Sequence, residues 1–140
     1  YKGGGPAIAD LIANNVTMSF ASLTSALLHI KSNRLRPLAV AAKTRASQLP
    51  EVPTMKEAGA GDIFVRDWQG MVTPFGTPKP IVVKLSTTIR GILKEPDTVR
   101  RFDAMGLDVI ASSSEEFRSE VASEIKRWAI VVKQANIKAN

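Results

Sequence analysis

The hydrophobic pattern of this chain predicts an α/β fold, with helices flanking a sheet of mainly parallel strands. Helical and strand-like patterns alternate along its 140 residues. The segment Leu35–Ala41 is almost continuously apolar, as is typical of a strand buried on both faces. The last helical segment carries a long apolar stripe, formed by Phe117, Val121, Ile125, Trp128 and Val132. Hydrophobic residues make up 44% and charged residues 23%, which is enough apolar material for an ordinary core.

The first four elements are predicted to be helix, strand, helix and strand. Pro6 fits the first turn of a helix, because its missing N–H would have been unpaired there anyway, and Asn14 ends that helix. Apolar and polar residues alternate in 16–20, as in a half-buried strand. Residues 21–32 return to helical spacing, and 35–41 form the second strand.

A loop, a short helix and a long strand are predicted to follow. The loop contains two prolines, and after it Thr54 and Glu57 have the spacing of a capping box, in which each side chain bonds the other residue's N–H. Gly59 ends this helix after little more than one turn. Residues 63–74 then read as a strand.

The last part of the chain is predicted to be mainly helical. Residues 79–93 and 97–105 form two helices separated by Pro96, and 107–111 form a short strand. A second capping box, Ser113 with Glu116, opens the final helix. The opening glycine loop leads into a helix in the way that strand-to-helix turns do, so a strand is expected before residue 1. The sequence is therefore expected to form part of a sheet and to have been trimmed from a longer chain.

Composition excludes several classes of site. The absence of cysteine excludes disulfides, thiolate zinc sites and cysteine nucleophiles. The net charge of +6 would suit nucleic acid or an anionic membrane, but the basic residues are scattered and aromatic residues are only 6%. No apolar stretch approaches the roughly 20 residues that span a bilayer. The charge is therefore interpreted as a solvated surface.

No catalytic or metal-binding constellation is found. None of the serines lies in a GxSxG motif, and Glu115 with Glu116 is better explained as an acidic first turn that complements the helix dipole. The single histidine, His29, lies in a predicted helix without metal-ligand spacing and is interpreted as a packing or surface residue. We therefore predict no catalytic residues, no metal and no cofactor.

The loop Gly3-Gly4-Gly5-Pro6 is the local feature that most favours binding. Its backbone N–H groups and the helix N-terminus behind them can hold a carboxylate or phosphate without a basic side chain. It matches neither Walker A nor GxGxxG, and taken alone it fits a tight turn better than an anion site. Trp68, close to Gly70, fits a ligand-cleft wall and a core position equally well.

A succession of short runs resembles a known family. The runs are Tyr1–Ala7, Ser25–Lys31, Leu35–Val40, Leu49–Thr54 with Glu57–Gly59, Trp68–Gly70 and Pro74–Pro78. In this order they resemble the substrate-binding components of tripartite tricarboxylate transporters, the Bug family of bacterial periplasmic receptors. The resemblance covers essentially the whole chain.

The resemblance implies a type II periplasmic binding protein fold, with two α/β lobes joined by crossing strands and the ligand between them. On this basis 1–41 are part of the second lobe, 42–74 are a loop, short helix and connecting strand, and 75–140 are C-terminal segments of the first lobe. The N-terminal half of the receptor, with its signal peptide, is then missing.

The resemblance also implies which residues bind ligand. A carboxylate is expected on the backbone amides of Gly3, Gly4 and Gly5 and on ordered waters, with Ala21 and Ser22 at the end of the next strand pointing into the cleft. Trp68 becomes a candidate cleft wall. Many members have an acidic residue where this chain has Ala21, and this difference disfavours an amino-acid ligand, whose ammonium would need a carboxylate partner.

The implied function is that of a periplasmic receptor, which captures a small organic carboxylate by lobe closure and passes it to membrane permease subunits. Dicarboxylates, tricarboxylates and aromatic acids all remain candidate ligands. Two alternatives are an effector-sensing domain of a LysR-type transcription regulator, which lacks support because no helix-turn-helix is present, and a basic nucleic-acid-binding domain. A homodimer through surfaces exposed by truncation is a further hypothesis.

Overall fold

A computed structural model of the chain describes residues 1–138 and contains five helices in that part. They are α1 (Gly4–Ile12), α2 (Leu23–Lys31), α3 (Lys79–Leu93), α4 (Pro96–Ala104) and α5 (Ser114–Gln134). All five were predicted, and α3 has the predicted bounds. Within residues 1–138, no helix is both long enough and apolar enough to cross a membrane.

The segments predicted to be strands are non-helical, but no β-strand forms within the described residues. Val40 and Thr54 make an isolated parallel bridge, in which the Val40 N–H donates to the Pro53 carbonyl and the Met55 N–H donates to the Val40 carbonyl, both at 2.9 Å. The prediction of paired strands is therefore wrong for this part of the chain. Alternating side chains indicate extended backbone, but a strand also requires a neighbour to bond with.

Residues 1–69 and 99–109 form one compact unit, which contains the buried core. Leu27, Leu49 and Val52 are buried together, and Leu23, Ile30 and Val40 pack against them. The loop that contributes Leu49 and Val52 is tied to α4, because the Gln48 amide donates to the Asp103 carboxylate at 2.8 Å. This core fixes α2 against the loops that follow it.

The Thr54–Glu57 capping bonds are present, but they close a turn and not a helix. The Thr54 N–H donates to the Glu57 carboxylate at 2.7 Å, and the Glu57 N–H donates to the Thr54 hydroxyl at 3.1 Å. Arg45 donates to Glu57 at 2.9 Å and to the Pro50 carbonyl at 3.0 Å. The predicted short helix is wrong, since one turn gains too few hydrogen bonds to offset the cost of nucleation.

Residues 70–98 and those from 110 onward form the second unit, which contains α3 and α5. The predicted capping box of α5 is confirmed, with reciprocal bonds of 2.7 and 3.2 Å between Ser113 and Glu116. Apolar residues of α5 remain exposed, for example Ile125 at 65%. The assignment of 1–41, 42–74 and 75–140 to two receptor lobes stays a prediction.

Candidate functional site

The N-terminus of α1 carries backbone donors with no partner inside the helix. Gly3 is its N-cap residue, with φ 112° and ψ 177°, and offers no side chain to cap the helix. The first N–H groups of a helix have no intrahelical acceptor, and the aligned peptide dipoles make this end partly positive. No acidic residue lies in the first turn of α1. The Gly4 and Gly5 amides are thus suited to hold an anion.

Only one of the three loop glycines has a backbone conformation that favours glycine over other residues. Gly3 has a positive φ, a conformation that strains residues with a Cβ. A Cβ on Gly4 would lie 3.8 Å from the Ser25 Cβ and Oγ, an ordinary van der Waals distance, and a Cβ on Gly5 would meet nothing within 4 Å. A glycine inside a helix costs about 0.5–1 kcal/mol relative to alanine. The fold therefore gains nothing from glycine at position 5.

The N-terminus of α2 is also left uncapped, although Ser22 stands at the N-cap position. The Ser22 and Ser25 hydroxyls lie 2.9 Å apart, and the Thr24 hydroxyl donates to Ser22 Oγ at 3.3 Å. The Ser25 hydroxyl also donates to the Ser22 carbonyl at 2.9 Å. The three hydroxyls thus bond within the cluster, and an anion here would be bound by backbone N–H groups.

These two helix ends lie together. Helices α1 and α2 are in contact, and Gly4 of α1 lies close to Ser25 in the first turn of α2. Neither helix has an acidic residue in its first turn. Two partly positive ends that share one place favour a carboxylate, which has two oxygens to accept from two sets of amides. The sequence analysis named Ser22 as a candidate but not Thr24 and Ser25, which the hydroxyl-rich run 22–25 could have indicated.

Tyr1 and Asn15 both act on the pKa of Asp10 in α1. The Tyr1 hydroxyl, and then the Asn15 amide at 3.1 Å, donate to the Asp10 carboxylate and hold its pKa below the ordinary value. The same carboxylate raises the pKa of Tyr1.

The remaining predicted site residues lie on neighbouring segments. Ala21 is exposed directly before Ser22. Trp68 is 38% exposed and lies three residues after Val65, whose N–H donates to the Ala41 carbonyl at 2.9 Å. The placement of Trp68 against the glycine loop stays a prediction. Within residues 1–138, no group of three acidic or histidine side chains could hold a metal ion.

Comparison with known proteins gives consistent matches along the chain. A family model described as "Tripartite tricarboxylate transporter family receptor" matches residues 1–137. The protein BugT of Bordetella pertussis is 35% identical over 138 residues, which cover 99% of this chain and 42% of BugT. A UPF0065 protein from the tcbD-tcbE intergenic region of a Pseudomonas species is 35% identical over 141 residues, covering all of this chain and 42% of its own.

Solved structures also match nearly all of this chain with less than half of their own length. An R. palustris protein solved with adipate has a TM-score of 0.91 at 31% identity over 98% of this chain and 46% of its own. The periplasmic binding protein BugD has a TM-score of 0.83 at 30% identity, over 100% of this chain and 48% of its own. The chain thus spans less than half the length of these relatives. The predicted fold class, part of an α/β periplasmic binding protein fold, is confirmed.

Proposed function

The chain belongs to the tripartite tricarboxylate transporter receptor family, and from this premise we propose that it is part of a receptor that captures a small organic carboxylate. Its relatives include the periplasmic binding protein BugD and an R. palustris protein solved with adipate. We infer a periplasmic location and delivery of the ligand to a membrane transporter. Membership of this family favours a receptor over a transcriptional effector domain or a nucleic-acid-binding domain.

The observation that carries this proposal is the convergence of two uncapped helix N-termini at Gly4 and Ser25. The amides of Gly4 and Gly5 on α1, together with those that open α2, would donate to the carboxylate oxygens. Such fixed backbone donors discriminate a carboxylate from a neutral group without a buried cation. Ala21 brings no carboxylate to this end, so an amino acid would find no partner there for its ammonium.

Capture would work through closure of two receptor lobes around the ligand. Ligand shifts the equilibrium toward the closed state only by its difference in affinity for the two states. Amides at one edge of a lobe bind the carboxylate in either state, and Trp68 is proposed as a wall that the ligand contacts on closure. No chemical step is required, since the ligand is bound and released unchanged.

The test is a thermal-unfolding panel of di-, tri- and aromatic carboxylates, run on this chain and on the full-length receptor. A ligand at about 100 times its dissociation constant stabilises by about 2.7 kcal/mol, which is several degrees of melting temperature for a domain of this size. We expect a reproducible shift with at least one acid. The absence of a shift with every acid on the full-length receptor would refute carboxylate capture.

Gly5→Ala locates the bound carboxylate. The added Cβ meets nothing in the fold, so the variant should melt at the same or a higher temperature than the parent, while the methyl group obstructs the close approach of a ligand. We expect the ligand-induced shift to be lost. Gly91→Ala on α3 is the matched control, because its Cβ also meets nothing and its position is remote in sequence from α1. Unchanged binding by Gly5→Ala would show that the carboxylate lies elsewhere.

A further inference from the structure

We propose that the cavity beside the C-terminal end of α2 docks an acidic segment of a partner protein, whose carboxylates bind Arg34 and Arg36. This inference goes beyond the proposed function, because the cavity takes no part in holding the carboxylate ligand. It lies wholly within the unit formed by residues 1–69 and 99–109. Neither arginine was among the predicted site residues.

The cavity measures about 550 Å³ and rests on the buried core of this unit. Val52 belongs to that core, Ile30 packs against it, and both line the cavity. Pro37 and Pro53 are also in the lining, and the Pro53 carbonyl accepts from the Val40 N–H at 2.9 Å. Because proline fixes its own φ, this part of the wall has little freedom to lose on binding. A preformed surface of this kind lowers the entropic cost of association.

Arg34 and Arg36 bring two positive charges to the cavity, and both residues are exposed. Neither guanidinium has an ion pair or a hydrogen bond with another group of residues 1–138. The end of α2 is closed by main-chain bonds instead, since the His29 carbonyl accepts from the backbone N–H groups of Arg34 and Leu35 at 2.8 and 3.1 Å. Both side chains are therefore free to bind a carboxylate, which a guanidinium does through two parallel hydrogen bonds.

The charge around the cavity favours an acidic partner. In the described part of the chain, the lining contains one carboxylate, that of Glu51, against the two guanidiniums, and Glu51 forms an ion pair with neither. Lys31, exposed in the last turn of α2, adds a positive charge close by in sequence. An acidic segment is thus attracted overall, while Glu51 repels it.

The shape of the cavity favours a protein segment over a small acid or a membrane. Its charged residues are exposed to solvent, where water screens a single charge pair and leaves it weak. A protein segment would cover the mouth of the cavity and exclude that water, and it could place an apolar side chain on Ile30 and Val52 at the same time. A flat lipid surface cannot reach a concave apolar lining.

The cavity is separate from the candidate carboxylate site. It borders the last turn of α2, through Ile30, whereas the carboxylate site lies at the N-terminal end of the same helix. A helix of nine residues is about 14 Å long, so one occupant does not displace the other. Under the proposed function, a receptor loaded with ligand therefore still presents this surface to a partner.

The test is fluorescence anisotropy with a short labelled synthetic peptide that carries two glutamates beside a leucine, and with a control peptide that has glutamine in place of glutamate. Both are added to the full-length receptor and to this chain, without any carboxylate ligand. We expect only the acidic peptide to bind. Arg34→Gln and Arg36→Gln should each weaken its binding by about fivefold, the upper end for an exposed charge pair, and Glu51→Gln should strengthen it by about twofold. Arg101→Gln, at an exposed arginine of the same unit that does not line the cavity, is the matched control and should change nothing.

Each other outcome overturns the inference. Equal binding of the two peptides, no binding of either, or an equal loss in Arg101→Gln would remove the specific role of the two arginines. A lower melting temperature of Arg34→Gln and Arg36→Gln would show that the arginines only support the fold. Binding to this chain alone would show that the rest of the receptor covers the cavity, and binding of phosphatidylglycerol vesicles in place of the peptide would assign the arginines to a membrane surface. Because no carboxylate ligand is present, these results leave carboxylate capture to its own thermal-unfolding panel.

Discussion

Substitution of Gly70 by alanine is the most direct test of packing in the second unit. A Cβ built on Gly70 lies 2.1 Å from the Cζ of Phe117 and 2.8 Å from its Cε1 and Cε2. Carbon atoms pack at about 3.5–4.0 Å, so the Phe117 ring would have to retreat by about 1.4 Å or more. The backbone of Gly70 lies outside the left-handed region, and alanine would therefore bring no strain except this clash.

The expected cost is that of overpacking. Forcing an extra methyl group into a formed contact destabilises by about 1–3 kcal/mol. For a chain of this length, each kcal/mol lowers the melting temperature by about 4 °C, so Gly70→Ala should melt about 4–12 °C below the parent. The assay is thermal unfolding followed by circular dichroism, with urea unfolding as a second measure.

Two further variants make this reasoning falsifiable. Gly91→Ala adds the same methyl group to a helix interior where nothing lies within 4 Å, and it should raise stability by about 0.5–1 kcal/mol. In a Phe117→Leu background, which lacks the clashing ring atom, Gly70→Ala should cost less than about 0.5 kcal/mol. Equal effects of Gly70→Ala and Gly91→Ala, or an undiminished cost beside Leu at position 117, would refute the close contact.

Two other predictions concern caps and pH. Ser113→Ala removes the cap of α5 and should lower the free energy of unfolding by about 1 kcal/mol, measured with urea. The control Ser123→Ala, on the exposed surface of α5, should be neutral or slightly stabilising. Equal effects of the two variants would show that the cap contributes nothing. The Thr54 N–H, and then Arg45, hold the pKa of Glu57 below its ordinary value of 4.5, so its contribution is present above that value and is lost as pH falls through the lower folded pKa. The melting temperature should therefore decrease as the pH is lowered below about 4.5, and it should decrease less for Glu57→Gln. The same dependence of melting temperature on pH in the parent and in Glu57→Gln would contradict this.

Sequence periodicity predicted helices better than it predicted the sheet, and the reason is physical. A helix bonds to itself, so the apolar spacing of α3 and the cap of α5 contain most of what those helices need. A strand bonds to a neighbour, and the apolar run 35–41 holds no information about where that neighbour is. The capping box at Thr54 formed its bonds without a helix because a single turn cannot repay nucleation.

The candidate site was predictable to the extent that it is local. The glycine loop follows from composition and from the helix start at Pro6, both visible in one short run. The arrangement around it depends on a contact between separate segments: Gly4 against Ser25, which lies 21 residues further along the chain. No spacing rule connects such pairs, since only the packed unit brings them together.

The contrast between capped and uncapped helices supports a binding role for the α1–α2 end. This chain caps α5 with a full reciprocal pair, yet it leaves α1 and α2 uncapped where they touch. Helix α3 also begins without a side-chain cap, but Pro80 removes one of its first donors. At α2 a serine occupies the capping position, and its hydroxyl bonds to Ser25 instead of to the helix amides. A carboxylate bound there would supply the missing acceptor, which explains why uncapped ends would be retained at this place.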